Sequence, residues 1–526
     1  MKNIFLTLAA ALVLCAVSAY PRDLVILHTN DTHSHIDAEN GVGGVLQRKA
    51  MIDSIKKAEK DVLVVDAGDI VQGSLYFKLF GGELEYPLME MMGYDVQILG
   101  NHEFDNGLDE LARHLHRGGP AKLVANYDFS QTPLKGVTDP YVIKKIGGKK
   151  IGIMGIGLDP AGMVAPENYR GMKFADIVAT ANETAGRLRR DGCDIVVAVT
   201  HLGYTNDTGK PLVTDVGLAR LSKGIDIIIG GHSHEMVSPA TAGERPNVVD
   251  NAEGRPVLIA QTGRYGANLG YIKVGLDGGA PVVKQAGLLP VAGVDPKRFD
   301  KKIERFLSPY RHVVDSINNR VIAECIVDMP NTKNYYTSVL LSNFTADVAE
   351  AYASHVLDSL NAPGLPKRVD LAVMNSGGIR MPMKRGPVTE GQILSTYPFS
   401  NHLVIKEMTG VQLDSLIRQA AVLANQAFSK STLVAVSRGT ANVEGVLING
   451  YPLDPGRTYY VAMLDYLADG GDYLTTAAAG TVVWRDPAEW CAPVMRYVVD
   501  MGKASMPIDP DPRCRLRVAD SIPDMR

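Results

Sequence analysis

What this sequence has little of narrows it before any motif does. Basic charge is not in excess: 54 Lys and Arg stand against 58 Asp and Glu, a net charge of −4 over 526 residues. No basic footprint marks a long nucleic acid as a partner, so any recognition of phosphate must be local. Cysteine is scarce, five residues with no CxxC spacing, which removes thiolate metal sites and thioredoxin-like chemistry. Cys193 leads into an apolar run and reads as a small buried hydrophobe, while Cys491 and Cys514 are the pair open to a disulfide. Apolar runs of membrane-spanning length are missing beyond the N-terminus, and the polar ending DSIPDMR argues against a C-terminal lipid-anchor signal. No repeat or low-complexity tract occurs. With 46% hydrophobic and 21% charged residues, the chain is ordinary globular material, long enough for two or more domains.

The N-terminus is the exception to the missing apolar runs. Lys2, an apolar stretch over residues 4–17 and the small residues Val17, Ser18 and Ala19 before Tyr20 read as a cleaved signal peptide over 1–19. Leu14 before Cys15 does not fit a lipoprotein signal. The expectation is an exported protein, periplasmic or extracellular, with no membrane span in the mature chain.

What is there is a set of short apolar runs, each the length of a buried strand: LVIL (24–27), VLVV (62–65), VQIL (96–99), IVVAV (195–199) and IDIII (225–229). Each stops at a polar cluster, in order NDTHSH, DAGD, GNHEFDNG, THLGY and GGHSHE. Helical patterns over 43–60 and 174–190 separate some of them, so the layout is α/β with functional loops gathered at one sheet edge. Asp31 and His33 are two apart, and continued strand geometry would point both side chains the same way. Asp69, Asn101, His201, His232 and His234 each follow an apolar run within a few residues. Carboxylate, amide oxygen and imidazole without thiolate suit two divalent ions, Zn²⁺ or Mn²⁺, sharing a bridging carboxylate.

In order and spacing these five motifs resemble those of the dinuclear metallophosphoesterases, specifically the secreted and periplasmic 5′-nucleotidase family. The resemblance implies an N-terminal calcineurin-like metallophosphoesterase sandwich, two β-sheets flanked by helices, over 20–295. Gly- and Pro-rich sequence around 275–300 and the charged helical pattern that follows place the domain boundary in a linker helix over 296–320, and the resemblance implies a C-terminal α/β substrate-binding domain over 321–526. Carried over by motif position, Asp31, His33 and His234 would hold one metal, Asn101, His201 and His232 the other, and Asp69 would bridge them. Asp66 matches a position that does not ligate. Catalysis would be attack of a metal-bridging hydroxide on phosphorus, with His102 stabilising the phosphoryl group and leaving oxygen and Asp105 orienting it. His35 reads as a neighbour of the ligands rather than one of them, and neither His28 nor His402 has a place in the site.

In the second half, NSGGIR (375–380) follows an expected strand (369–375), after a long helix near 334–357. With YPFSN (397–401) and DYLADGGDYL (465–474) it resembles the family's substrate domain. The resemblance implies that Arg380 meets phosphate, Phe399 and Tyr466 sandwich a base, and Asp472 bonds the nucleoside, with Asn375 and Asn401 as further polar contacts. The second domain is then expected to swing its nucleotide toward the metals from the linker helix. Tyr466 stands where Phe is usual and is expected to serve through its ring face alone. Lys333 stands where strong 5′-monophosphatases carry an Arg, which leaves open a 2′,3′-cyclic-nucleotide phosphodiesterase with 3′-nucleotidase activity, a UDP-sugar hydrolase, or a nucleotide-binding or adhesive surface protein without turnover.

Overall fold

The computed structural model describes residues 23–115, 118–205, 213–238, 247–276, 282–331, 339–421, 426–436 and 442–518. The expected signal peptide, Cys15 and Lys333 lie outside them. Among the described residues no helix is long and apolar enough to cross a membrane.

Every one of the five apolar runs lies in or overlaps a strand. The first three fall in Asp23–Thr29, Asp61–Asp66 and Val96–Ile98, which pair in parallel in a six-stranded sheet; Asn268–Gly275 and Val282–Pro290 extend it antiparallel on one side. The last two fall in Ile195–Thr200 and Ile227–Ile229 of a seven-stranded sheet, parallel to each other and flanked in parallel by Lys149–Ile156 and Pro256–Thr262. Alternate residues explain the layering. Leu24, Ile26, Leu63 and Val65 of the first sheet share one apolar cluster with Ile151, Ile153, Ile195, Val197, Ile227 and Ile229 of the second, which is the filling between the sheets. Val25, Leu27 and Val64 point outward, into a cluster with the helices Val45–Ala58, Glu85–Met92 and Gly107–Leu115. Met154, Val196, Ala198 and Ile228 do the same against Ile177–Arg190 and Asp215–Leu221. The result is a two-sheet sandwich with helices on both outer faces, and parallel strands that all end at one edge.

The helix Lys301–Asn318 buries Ile303, Leu307 and Val314 in the apolar cluster of the first sheet's outer face, so it is packed onto the first half of the chain. Beyond it, a five-stranded sheet runs in the order Ala427–Phe428, Leu371–Met374, Thr458–Leu464, His402–Thr409, Thr481–Glu489, covered by the helix Leu340–Leu360. Leu371–Met374 is parallel to Thr458–Leu464, and Leu403 pairs with Leu464. The segments after Met374, before His402 and after Leu464 therefore emerge at one edge, and these are the three segments expected to meet substrate. The four cysteines Cys193, Cys325, Cys491 and Cys514 are free thiols, so the pair 491 and 514 is not bridged.

Candidate dinuclear metal site

The loops after Thr29, Asp66, Ile98, Thr200 and Ile229 bring their polar residues to one point. Three overlapping groups result, each with ligand atoms within 4.8 Å: Asp31, His33 and His234; His33, Asp69 and His102; Asp69, His201 and His232. His33 Nε2 lies 3.0 Å from His234 Nε2, His234 Nε2 lies 3.3 Å from Asp31 Oδ1, and His201 Nε2 lies 3.1 Å from Asp69 Oδ2. Asn101 joins through its Oδ1, 3.0 Å from His232 Nδ1. All seven residues read as ligands from the sequence are therefore in contact. Asp66 is not among them: it accepts from Thr29 Oγ1 at 2.5 Å and from Gly68 N–H at 2.9 Å, and so holds the loop that presents Asp69.

Strand alternation does not bring Asp31 and His33 together, because the strand has ended at Thr29. Both sit in the left-handed region, at φ 51 and 48, as do Asp69 at φ 55, His232 at φ 80 and His234 at φ 59. Non-glycine residues seldom adopt this conformation, and here it turns successive side chains inward. Gly100 is required by the same crowding: a Cβ there would overlap Asp69 Oδ1 and lie 2.8 Å from His201.

The donors fit divalent cations. His33 Nδ1 faces Gln72 O at 3.1 Å and His201 Nδ1 faces Ala67 O at 2.7 Å. A carbonyl can only accept, so each Nδ1 carries a proton and each Nε2 faces the cluster. His201 Nε2 is buried and makes no aligned hydrogen bond despite its closeness to Asp69, as expected of two ligands aimed at a shared point. Burial resists charge on His201, but the Asp69 and Asp31 carboxylates outweigh it and push its pKa up to about 10. Burial and the His234 imidazole hold His33 well below the ordinary histidine range. Burial opposes ionisation of Asp69 also, yet His201 and His102 keep its carboxyl well below the usual range. The Asp69 and Asp31 carboxylates thus favour positive charge beside them while His33 is held toward its neutral form, a donor set suited to a cation.

His102 stands at the rim. Its Nδ1 is 2.8 Å from Asp105 Oδ2, its backbone N–H donates to Asp69 Oδ1 at 2.9 Å, and its ring lies 5.3 Å from that of His33. Burial works against its charge, but Asp105 and then Asp69 raise its pKa above the ordinary value. Glu103, next to His102 in sequence, supports the cluster without being recognisable from the sequence. It is 4% exposed, and its carboxylate accepts from Asp69 N–H at 3.0 Å, Ile70 N–H at 2.9 Å and Gly100 N–H at 2.5 Å. The signal for it was an acid inside GNHEFDNG, which sequence alone had no reason to prefer over its neighbours. His35 stacks on Tyr265 at 3.8 Å, beside the ligands.

The edge of the five-stranded sheet faces this cluster. Phe399 lies 5.8 Å from the His102 ring, Arg380 Cζ lies 5.7 Å from the Phe399 ring, and the Arg380 charge acts on His33, His35 and His102. Lys78 and Glu489 pair across the halves at 2.6 Å. Asn375 is 6% exposed and its Oδ1 has no partner, while the Asn401 carbonyl accepts from Trp490 N–H at 2.7 Å. Tyr466 lies over Gly471, and its hydroxyl is not idle: it accepts from Asp472 N–H at 3.0 Å, and Asp472 Oδ1 (3.1 Å) and Gly162 O (3.3 Å) are within reach of its proton.

Residues 24–236 match the family model described as calcineurin-like phosphoesterase, and residues 321–479 that described as 5'-nucleotidase, C-terminal domain. The chain is 28% identical over 501 residues to Protein UshA of Yersinia enterocolitica, covering 86% of each. It is 27% identical over 433 residues to the trifunctional nucleotide phosphoesterase protein YfkN of Bacillus subtilis; that alignment takes 76% of this chain but spans only 27% of the relative's length. Among solved structures, a 5'-nucleotidase precursor from Thermus thermophilus superposes with a TM-score of 0.80 at 27% identity, covering 95% of this chain and 100% of that one.

Proposed function

The chain belongs to the two-domain family that joins a calcineurin-like phosphoesterase to a 5'-nucleotidase C-terminal domain, and it is a hydrolase of phosphoric esters; from that premise we propose that it is an exported 5′-nucleotidase working with two divalent cations, Zn²⁺ or Mn²⁺. The domains are taken as 20–295 and 321–526, joined through 296–320, after a signal over 1–19. The observation that carries the reading is the meeting of seven oxygen and nitrogen donors from five loops with Arg380 and Phe399 facing them.

Asp31, His33 and His234 would hold one ion, Asn101, His201 and His232 the other, with Asp69 shared. Two such ions supply Lewis acidity that activates water at neutral pH and offsets charge on the phosphoryl oxygens. The chain's own groups do the rest. Asp105 fixes the His102 ring through Nδ1, and a cationic imidazole there would stabilise charge on the phosphoryl group and the departing oxygen. Arg380 brings a permanently charged, planar donor to the phosphate. Phe399 and Tyr466 take the base, and Asn375, Asn401 and Asp472 its polar edges and sugar.

A substrate panel tests this: AMP, 3′-AMP, 2′,3′-cyclic AMP and UDP-glucose, with Zn²⁺, Mn²⁺ or neither added. The highest kcat/KM is expected for AMP, and only with metal. Preference for the cyclic or 3′ ester, or for UDP-glucose, would replace the substrate assignment. No turnover of any of them would leave a binding protein.

A further inference from the structure

Gln426 lies outside every motif that pointed to the site, yet it spans two of the substrate segments. It is 3% exposed. Its Oε1 accepts from Ser376 N–H at 3.0 Å, and its Nε2 donates to Asp472 Oδ2 at 2.7 Å. The amide orientation is forced, because a backbone N–H can only donate and the nitrogen must then face Asp472. Asp472 in turn must present an acceptor, as a carboxylate does. Its backbone sits in the left-handed region at φ 55, which non-glycine residues adopt infrequently and aspartate more readily than most. Gln426 fixes one oxygen of that carboxylate while Tyr466 reaches the other at 3.1 Å.

We propose that Gln426 is a positioning residue that locks the turn carrying Asn375 and the loop carrying Asp472 into one nucleoside-binding unit. The inference rests on the reading of Asp472 as a nucleoside contact. Two loops that must each be ordered when ligand arrives bind it more weakly than two held ready, so nucleotide affinity depends on a side chain outside both the metal cluster and the phosphate contact.

The experiment compares kcat/KM for AMP with that for p-nitrophenyl phosphate, which has no nucleoside, in Gln426→Ala, Gln426→Glu and Asp472→Ala. Gln426→Ala should lower the AMP-to-aryl-phosphate ratio about tenfold, mainly through KM, the scale of one hydrogen bond to a charged group. Gln426→Glu keeps size and still accepts from Ser376, but sets a second carboxylate against Asp472. Its ratio should therefore fall further at neutral pH and recover as pH is lowered and the pair shares a proton, whereas the Ala variant's deficit should not move with pH. A packing role would give equal losses on both substrates and no such recovery. Either result, with Asp472→Ala still lowering the ratio, would overturn the role of Gln426 alone. If Asp472→Ala leaves the ratio unchanged, the nucleoside contact itself is wrong and the inference falls with it.

Discussion

The metal cluster and the substrate face look at each other across a few ångströms, but they are held in different ways. The cluster is held by backbone: five of its seven candidate ligands are in the left-handed region, each following a strand in one of two packed sheets, and Asp31, His33, Asp69 and His201 are at most 1% exposed. The substrate face is held by side chains: Arg380, Phe399, Tyr466 and Asp472 are all partly exposed, and Asp472 keeps its place through Gln426 and Tyr466. A geometry imposed by two sheets tolerates little; a geometry imposed by hydrogen bonds between side chains can be retuned one residue at a time. Substitutions in the first region should therefore abolish turnover, and those in the second should redistribute it among substrates.

The largest effect expected is that of Asp69→Asn. It removes the anion that both ions would share, so their mutual repulsion is less compensated. Metal analysis of the purified variant should show at least one ion lost, with kcat down by at least about ten-thousandfold and the fold intact by circular dichroism. Two tightly bound ions and near-normal turnover would remove Asp69 from the bridge. His102→Ala comes next. Both ions should stay, while kcat drops by roughly 10²- to 10⁴-fold, less for esters with good leaving groups. Equal losses for good and poor leaving groups would mean that His102 does not assist departure.

On the other side of the comparison, Phe399→Ala should leave metal content alone. Stacking of a base on an aromatic ring is worth about 1 to 3 kcal/mol, so KM for AMP should rise by roughly five- to more than a hundredfold. Hydrolysis of p-nitrophenyl phosphate should change much less. Parallel losses on the two substrates would mean that the ring serves packing against His102, and the division between the two regions would not hold.

The same division governs what could be read from the sequence. Candidate metal ligands are legible because residue type is itself the chemistry: Asp, Asn and His after five apolar runs have few other reasons to be there, and the runs proved to be the strands expected. The means of convergence was not legible. The Asp31 and His33 pairing looks like strand alternation but is a left-handed turn, because sequence does not show where a strand stops. Glu103 was passed over because its three partners are backbone N–H groups, which leave no trace in the sequence. The residues proposed to meet substrate are suggested only by family resemblance, since a Gly-Gly turn, a Phe and a Tyr have many ordinary uses. Gln426 had no signal at all: its partners, Ser376 and Asp472, lie 50 and 46 positions away.

Tyr466→Phe carries the smallest predicted effect and is the finest probe of the difference. If only the ring face mattered, as the sequence led one to expect, the change would be nearly silent. In the structure the hydroxyl accepts from Asp472 N–H, and its single proton has two acceptors in reach, Asp472 Oδ1 at 3.1 Å and Gly162 O at 3.3 Å. Phenylalanine keeps the ring, but leaves the Asp472 backbone without that acceptor and removes a polar contact between the two halves of the molecule. One such hydrogen bond contributes about 1 kcal/mol net, which corresponds to roughly fivefold in affinity. KM for AMP should therefore rise by about that factor, with kcat on p-nitrophenyl phosphate close to the parent value, because the metal cluster does not depend on this contact. Tyr466→Ala, which loses ring and hydroxyl together, should raise KM for AMP further. A Phe variant indistinguishable from the parent on AMP would show that the hydroxyl is a bystander, and that the substrate face, like the metal cluster, is set by its backbone.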